Sequence, residues 1–157
     1  MIYVTRFAQE HELERVNELR RMVNNLHAEN RPDIFKQGFD QEISNAIYEM
    51  WKLDDYKIIV AEHDQTICGF ACIHFIKKSE TPYRRPLSFI EVSEFGVDPA
   101  FRRKGIATEL MAFVFDLAKE NGLSRIELNM WDFNESALAF YETVGFRTYR
   151  RFLEVEI

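Results

Sequence analysis

The sequence predicts a mixed α/β fold: one central, mostly antiparallel sheet with helices on both faces and a parallel pair near its end. Three observations predict it. Strand-like and helix-like periodicities run in the order strand, two helices, three strands, helix, strand, helix, strand. Residues 57–63 and 67–77 flank the turn Asp64-Gln65, which reads as an antiparallel hairpin. The helical stretch 105–121 joins two strands by a long connection, as parallel neighbours require.

Taken in order, residues 2–6 alternate as a short first strand. Residues 9–27 place Leu13, Val16, Leu19, Val23 and Leu26 on one helical face, and Arg31-Pro32-Asp33 breaks that helix. A second helix is expected over 40–53. After the hairpin, residues 81–86 form a loop containing Pro82 and Pro86. Residues 87–97 are rich in β-branched and aromatic side chains and stop at Asp98-Pro99, since proline lacks an amide hydrogen and disfavours helix just before it. The next helix carries Ile106, Leu110, Met111, Phe113, Val114, Leu117 and Ala118 at helical spacing, with Gly122 placed for a C-cap. Residues 124–131 read as a strand and 134–144 as a short helix ending at Gly145. Residues 146–156 alternate again and are expected to close the chain as a strand.

The length fits one domain over residues 1–157, with no linker, repeat or low-complexity stretch. Fourteen phenylalanines point to a Phe-rich core. A net charge of −6 argues against nucleic acid, whose partners carry a basic patch, and favours steering of a cationic substrate. Cys68 and Cys72, four apart on a strand, would sit roughly 13 Å apart, too far for a disulfide. They read as free, buried thiols of a reducing compartment and not as nucleophiles. No apolar run is long enough to span a membrane, and the first residues lack a signal-peptide core, so a cytoplasmic protein is expected.

The run Arg102-Arg103-Lys104-Gly105-Ile106-Ala107 lies between a strand and a helix. A basic, glycine-containing turn that opens a helix presents unpaired amides and the positive end of the helix dipole, a site for phosphate. The spacing is neither that of a P-loop nor that of a dinucleotide-binding GxGxxG turn.

Three features together resemble the GNAT superfamily of acetyl-CoA-dependent N-acetyltransferases. One is Arg102-x-x-Gly105-x-Ala107, which follows the strand 92–97 at the family's distance. Another is Asn134-Glu135-Ser136-Ala137-Leu138-Ala139-Phe140-Tyr141. The third is Gly145-Phe146 directly after it. The close resemblance covers about residues 88–149, while the first 60 residues fit only as an architecture. It implies a single GNAT-like domain whose strand ending at Val97 splays from the next strand. Backbone at Phe95 and Val97 would pair with the pantetheine arm. Residues Arg102, Arg103, Lys104, Gly105, Ile106, Ala107 and Thr108 would wrap the pyrophosphate, with Asn134, Ala137 and Tyr141 completing the cofactor contacts.

By the same resemblance, the reaction is acetyl transfer from acetyl-CoA to a primary amine of a small molecule or peptide, by direct attack and without a metal. The alternative is a non-catalytic acyl-CoA-binding sensor or structural module of the same fold. Tyr141 would be the general acid, and Asn134 also has the position of a helix N-cap. Glu91 and Glu94 are both candidate bases, and a water chain ending at a carbonyl is a third route. In another branch the base lies on the next strand, where this chain has Asn129, which cannot serve. His27, Glu29, Asp33, Phe35 and Trp131 are candidates for lining the acceptor site, His27 as a proton relay or as a helix-end residue. The final strand, with Phe146, Tyr149, Phe152 and Leu153, would pair across a homodimer interface or lie as a covered edge.

Overall fold

The computed structural model describes residues 2–157. Five strands form one sheet in the order β1 (Val4–Phe7), β2 (Tyr56–His63), β3 (Thr66–Lys78), β4 (Leu87–Val97) and β5 (Ile126–Leu128). The first four pair antiparallel, and β4 pairs with β5 in parallel, as expected from the helix between them. The four α-helices are α1 (Leu13–Asn30), α2 (Gln41–Trp51), α3 (Ile106–Glu120) and α4 (Glu135–Thr143).

The two faces carry separate cores. On one, Leu13, Val16 and Leu19 of α1 and Ile47 of α2 pack on Ile58, Val60, Phe70 and Cys72. On the other, Ile106, Leu110, Met111 and Val114 of α3 pack on Ile59, Ala71, Ile73, Ile90 and Val92. The strand residues alternate between the two sets, as a sheet covered on both sides requires. Two tight spots set the depth of this packing. A Cβ on Gly69 would stand 2.9 Å from Ile106 Cγ2 of α3, and one on Gly96 would stand 2.9 Å from Phe70 Cε1 and 3.0 Å from Val23 Cγ2 of α1. Both α1 and α3 therefore sit close over the end of β4.

Two bulges break the alternation. Cys72 pairs with Glu94 and Ile73 with Val92, leaving Ser93 as the extra residue on β4. Gly69 pairs with Ala61 and Ile67 with Glu62, leaving Cys68 as the extra residue on β3. Cys68 and Cys72 consequently fall in different cores, both buried and free.

Three expectations are corrected. The expected Phe-rich interior is an aliphatic one, in which only Phe70 and Phe89 of the phenylalanines are buried. Most others, Phe95, Phe113, Phe115, Phe140 and Phe146 among them, ring the α3 core half-buried. The strand expected over 124–131 pairs only at Ile126–Leu128, where its ladder with β4 ends at Val92, just before the bulge at Ser93. The closing strand expected over 146–156 forms no ladder. An alternating pattern favours extended chain, but a strand exists only with a partner. Here the Phe146 amide donates to the Tyr141 carbonyl at 2.9 Å, and beyond it the segment is tied by side chains, Tyr149 Oη donating to Glu127 Oε1 at 2.6 Å and Arg31 paired with Glu154 at 2.8 Å.

Candidate active site

The turn after β4 is built to expose amides. The Asp98 amide donates to the Cys68 carbonyl at 2.8 Å, fixing where the strand ends. Asp98 Oδ1 then accepts the Ala100 amide at 2.9 Å and opens a 3-10 turn over Pro99–Phe101. Arg102 is extended, Arg103 is left-handed at φ 61° and Gly105 is left-handed at φ 84°. Gly105 is the N-cap of α3, and no side chain caps that helix start. The first-turn amides of a helix have no intrahelical acceptor, so those of Ile106, Ala107 and Thr108 remain available. Left-handed residues interleaved with others curl amides into a concave anion nest. Glycine tolerates this φ without the Cβ penalty, and the space a Cβ would take at Gly105 is open.

The neighbouring charge is handled locally. Burial pushes the Asp98 carboxyl up, but the Ala100 amide and Arg15, at 2.6 Å, outweigh it and hold the carboxyl below its ordinary range. Its negative charge is thus paired away from the anion site, whose own side chains Arg102, Arg103 and Lys104 are exposed.

From this turn a cleft leads along β4. Pairing between β4 and β5 covers only Ile90, Glu91 and Val92 against Ile126, Glu127 and Leu128. From Ser93 to Val97, β4 keeps β3 on one side and has no strand on the other. The expected splay is present, and Phe95 and Val97 lie along it. The Phe95 ring faces Phe140 at 6.0 Å and Tyr141 at 6.2 Å between centroids. Tyr141 is packed further by Phe146 at 5.7 Å. Burial raises the Tyr141 phenol above its ordinary value, so it holds its proton at neutral pH. Asn134 caps α4, its Oδ1 accepting the Ala137 amide at 3.2 Å.

The opposite face of β4 places the two glutamates. Because Ser93 is a bulge, Glu91 and Glu94 pair with His74 and Cys72, two apart on β3, and share a face. They are not equivalent there. Glu91 lies in the paired stretch, before the opening. Glu94 lies beside the opening, with its carboxylate held by Arg20 Nε at 3.1 and 3.2 Å. Arg20 is itself buried and braced by Asn17 Oδ1 and the Ile43 carbonyl. The pair with so buried a partner fixes the Glu94 carboxylate in place beside the opening.

His27 stands near Glu94 within an aromatic group. Its ring stacks on Phe35 at 5.1 Å and meets Phe133 edge-on at 5.9 Å. Trp131 joins through Phe35 and carries Arg31 over its face at 5.3 Å. Burial lowers the His27 pKa and outweighs the opposing field of Glu94, so the imidazole is neutral at physiological pH. Glu29 and Asp33 are exposed, and Asp33 is taken up by Arg31 at 2.9 Å. Neither joins the group. Asn129 is exposed at the end of β5. Among the described residues no cluster of His, Cys, Asp and Glu could hold a metal ion, and no helix is long and apolar enough to cross a membrane.

Sequence reading missed Arg20, Phe133 and the two close-packed glycines Gly69 and Gly96. Nothing in a single sequence marks Arg20 as buried among the basic residues of α1. The glycines sit in strand patterns, where an isolated glycine signals a bulge or a close approach.

A sheet that opens between parallel neighbours, with an uncapped helix start at its mouth, is the arrangement that the sequence resemblance implies. Residues 20–146 match the Acetyltransferase (GNAT) family, and the chain belongs to it. The chain is 33% identical over 58 residues to a thialysine N-epsilon-acetyltransferase of Caenorhabditis elegans, covering 37% of this chain and 36% of the worm protein. The chain spans about a third of the length of the worm relative that it matches. It is 26% identical over 120 residues to N-alpha-acetyltransferase 30 of Schizosaccharomyces pombe, covering 75% and 76% of the two. A tetramutant of the BH1408 protein of Bacillus halodurans superposes with TM-score 0.93 at 22% identity, covering 98% of this chain and 99% of that one. The aminoglycoside N-acetyltransferase AAC(6')-Iy, bound to a bisubstrate analogue of CoA and acetylneamine, superposes with TM-score 0.78 at 18% identity over 100% and 99% of the chains. At such identities these structures share the fold.

Proposed function

We propose that this chain transfers acetyl from acetyl-CoA to a primary amine of a small molecule or peptide, by direct attack in a ternary complex. One observation carries the reading. The open edge of β4 runs between an uncapped, glycine-led helix start and a half-buried, protonated tyrosine. Residues from Arg102 to Thr108 hold the pyrophosphate through amides and nearby cationic side chains. The free edge of Phe95 and Val97 takes the amide-bearing pantetheine arm as an added strand. Asn134 uses Oδ1 for its cap, which leaves Nδ2 to donate to that arm, and Ala137 is small enough to let it pass. The amide near Phe95 faces the thioester oxygen where negative charge develops.

The acceptor nitrogen attacks the thioester carbon, the C–S bond breaks, and Tyr141 supplies a proton to the departing sulfur. The proton lost by the amine goes to His27. Glu94, fixed by Arg20, draws the ammonium in and stabilises the imidazolium. Glu91 is too far back along the paired stretch for this role. The acidic surface and two buried thiols fit a cationic amine in the reducing cytoplasm, and the working unit is a homodimer.

The test is thiol release from acetyl-CoA across a panel of polyamines, aminoglycosides and lysine peptides, measured as a function of pH. His27 titrates below its ordinary value of 6.5. Its neutral form is lost only below that pH, so kcat/KM should rise with pH to a plateau, on a limb lying under pH 6.5. His27→Gln should lose that limb and fall about 100-fold on the plateau. The same shift makes the unfolded chain bind more protons between the lowered pKa and 6.5, so this group costs stability as the solution is acidified. Tight CoA binding with no transfer to any amine would replace the enzyme reading with that of an acyl-CoA-holding module.

A further inference from the structure

Four aromatic side chains from three separate parts of the chain meet beside the opening of the sheet. His27 comes from the end of α1, Phe35 from the loop between α1 and α2, and Trp131 and Phe133 from the turn between β5 and α4. Their contacts close a circuit. His27 stacks on Phe35 at 5.1 Å, and Phe35 meets Trp131 edge-on at 5.2 Å. Trp131 stacks on Phe133 at 6.4 Å, and Phe133 meets His27 edge-on at 5.9 Å. Stacked and edge-on pairs hold rings in set orientations. Each of the four is only half-buried, so the circuit keeps ring surface facing outward.

Helix α1 fixes where this wall stands. Arg20, Val23 and His27 follow one another at helical spacing and share a face. Arg20 reaches Glu94, and Val23 lies so close over β4 that a Cβ on Gly96 would stand 3.0 Å from it. His27, one turn further on, continues that line along the unpaired stretch of β4 and feels the Glu94 charge. Trp131 and Phe133 also border a cavity of about 1640 Å³ that Tyr141 reaches from α4. The aromatic wall thus meets both the carboxylate side and the tyrosine side of the opening. The charges around it are few. Glu94 stands beside the opening on its buried partner Arg20. At the rim, Asp33 and Glu154 are both bound by Arg31, whose guanidinium lies over the Trp131 ring at 5.3 Å. Glu29 and Asp132 are exposed, where water screens them.

We propose, resting on the acetyl-transfer reading above, that the acceptor is a primary arylalkylamine, with one ammonium for Glu94 and a planar ring laid against Phe35, Trp131 and Phe133. A ring there adds aromatic pair contacts to the apolar area it buries. A polyamine would bring further ammonium groups to a wall whose nearby carboxylates are already bound. It would lose their hydration without gaining a partner. Neutral His27 suits such an acceptor, since an imidazolium would repel the incoming ammonium. The transfer itself is unchanged. The N–C bond forms, the C–S bond breaks, and the products are an N-acetylated arylalkylamine and the CoA thiol. Phe35, Trp131 and Phe133 are then the residues that set acceptor specificity, through the ring and not through the reacting nitrogen.

The experiment compares kcat/KM for the best of benzylamine, 2-phenylethylamine and 3-phenylpropylamine with that for the matching cyclohexyl amine and for putrescine. The aromatic amine should exceed putrescine by about tenfold or more, and its saturated twin by about threefold. Phe35→Leu and Phe133→Leu should each shrink the advantage over the saturated twin, chiefly through KM, while Phe35→Tyr should keep it. Both positions lie outside the helices and strands, and leucine stays apolar there. Binding is read separately, from the change in tryptophan fluorescence when 2-phenylethylamine is added with CoA present. Trp131→Phe should remove that change and leave the signal of Trp51. Acetylation in which putrescine matches the aromatic amine, or in which the saturated twin does as well, would overturn this acceptor class and leave the transfer reading standing. Binding of 2-phenylethylamine with no acetylation of any amine would support the aromatic site and overturn the transfer. Neither binding nor acetylation would overturn both.

Discussion

Isothermal titration of the Gly105→Glu variant should show no acetyl-CoA binding under conditions where the native chain saturates, a loss of at least 100-fold in affinity. Two effects add. Gly105 sits at φ 84°, where a residue with a Cβ is strained by about 1 kcal/mol. The open space at that position is where the proposed pyrophosphate approaches the backbone, and a carboxylate there would repel it. The strain alone cannot account for the expected loss, since about 1 kcal/mol is less than tenfold, whereas 100-fold needs about 2.7 kcal/mol. Gly105→Ala separates the two, carrying the strain without the charge, and should lose only about fivefold to tenfold. Thermal unfolding should report only the strain, a similar fall in Tm of about 2–4 °C for both variants, because Gly105 is exposed and touches no core residue. Native-like affinity in Gly105→Glu would mean that the phosphates bind elsewhere.

The same residues show what a sequence can and cannot disclose. The turn was legible because its chemistry is local: strand end, proline, arginines, glycine and helix start follow each other within ten positions. Tyr141 and Asn134 were legible through a resemblance that spans one short helix. The order of strands and helices was legible from periodicity, which is also local. Glu91 and Glu94 were left undecided because their relative orientation depends on one extra residue at Ser93, and a bulge changes hydrogen-bond register without changing composition. Arg20 was invisible because its burial depends on Glu94, 74 positions away, and on Asn17 and Ile43 around it. The final segment misled for the complementary reason. Its alternation reports a preference for extended chain and says nothing about where a partner strand comes from.

The Tyr141→Phe variant should lower kcat about 100-fold while leaving acetyl-CoA affinity within about twofold of native. The hydroxyl is the only group removed, and the ring keeps its contacts with Phe95, Phe140 and Phe146, so the cleft retains its shape. The phenol ordinarily titrates near 10 and a free thiol near 8.5, so transfer to the departing sulfur is uphill by about 1.5 pK units and is useful only when it is concerted with C–S cleavage. Burial raises the phenol further, which keeps the donor loaded across the working pH range but makes it a weaker acid. A proton source held in place next to the sulfur compensates for that weakness, because Phe95, Phe140 and Phe146 fix the ring. The deficit should shrink for acyl donors whose thiol is more acidic, since a better leaving group needs less help. An equal deficit with every donor would assign Tyr141 to packing, and a loss confined to acetyl-CoA affinity would assign it to cofactor binding.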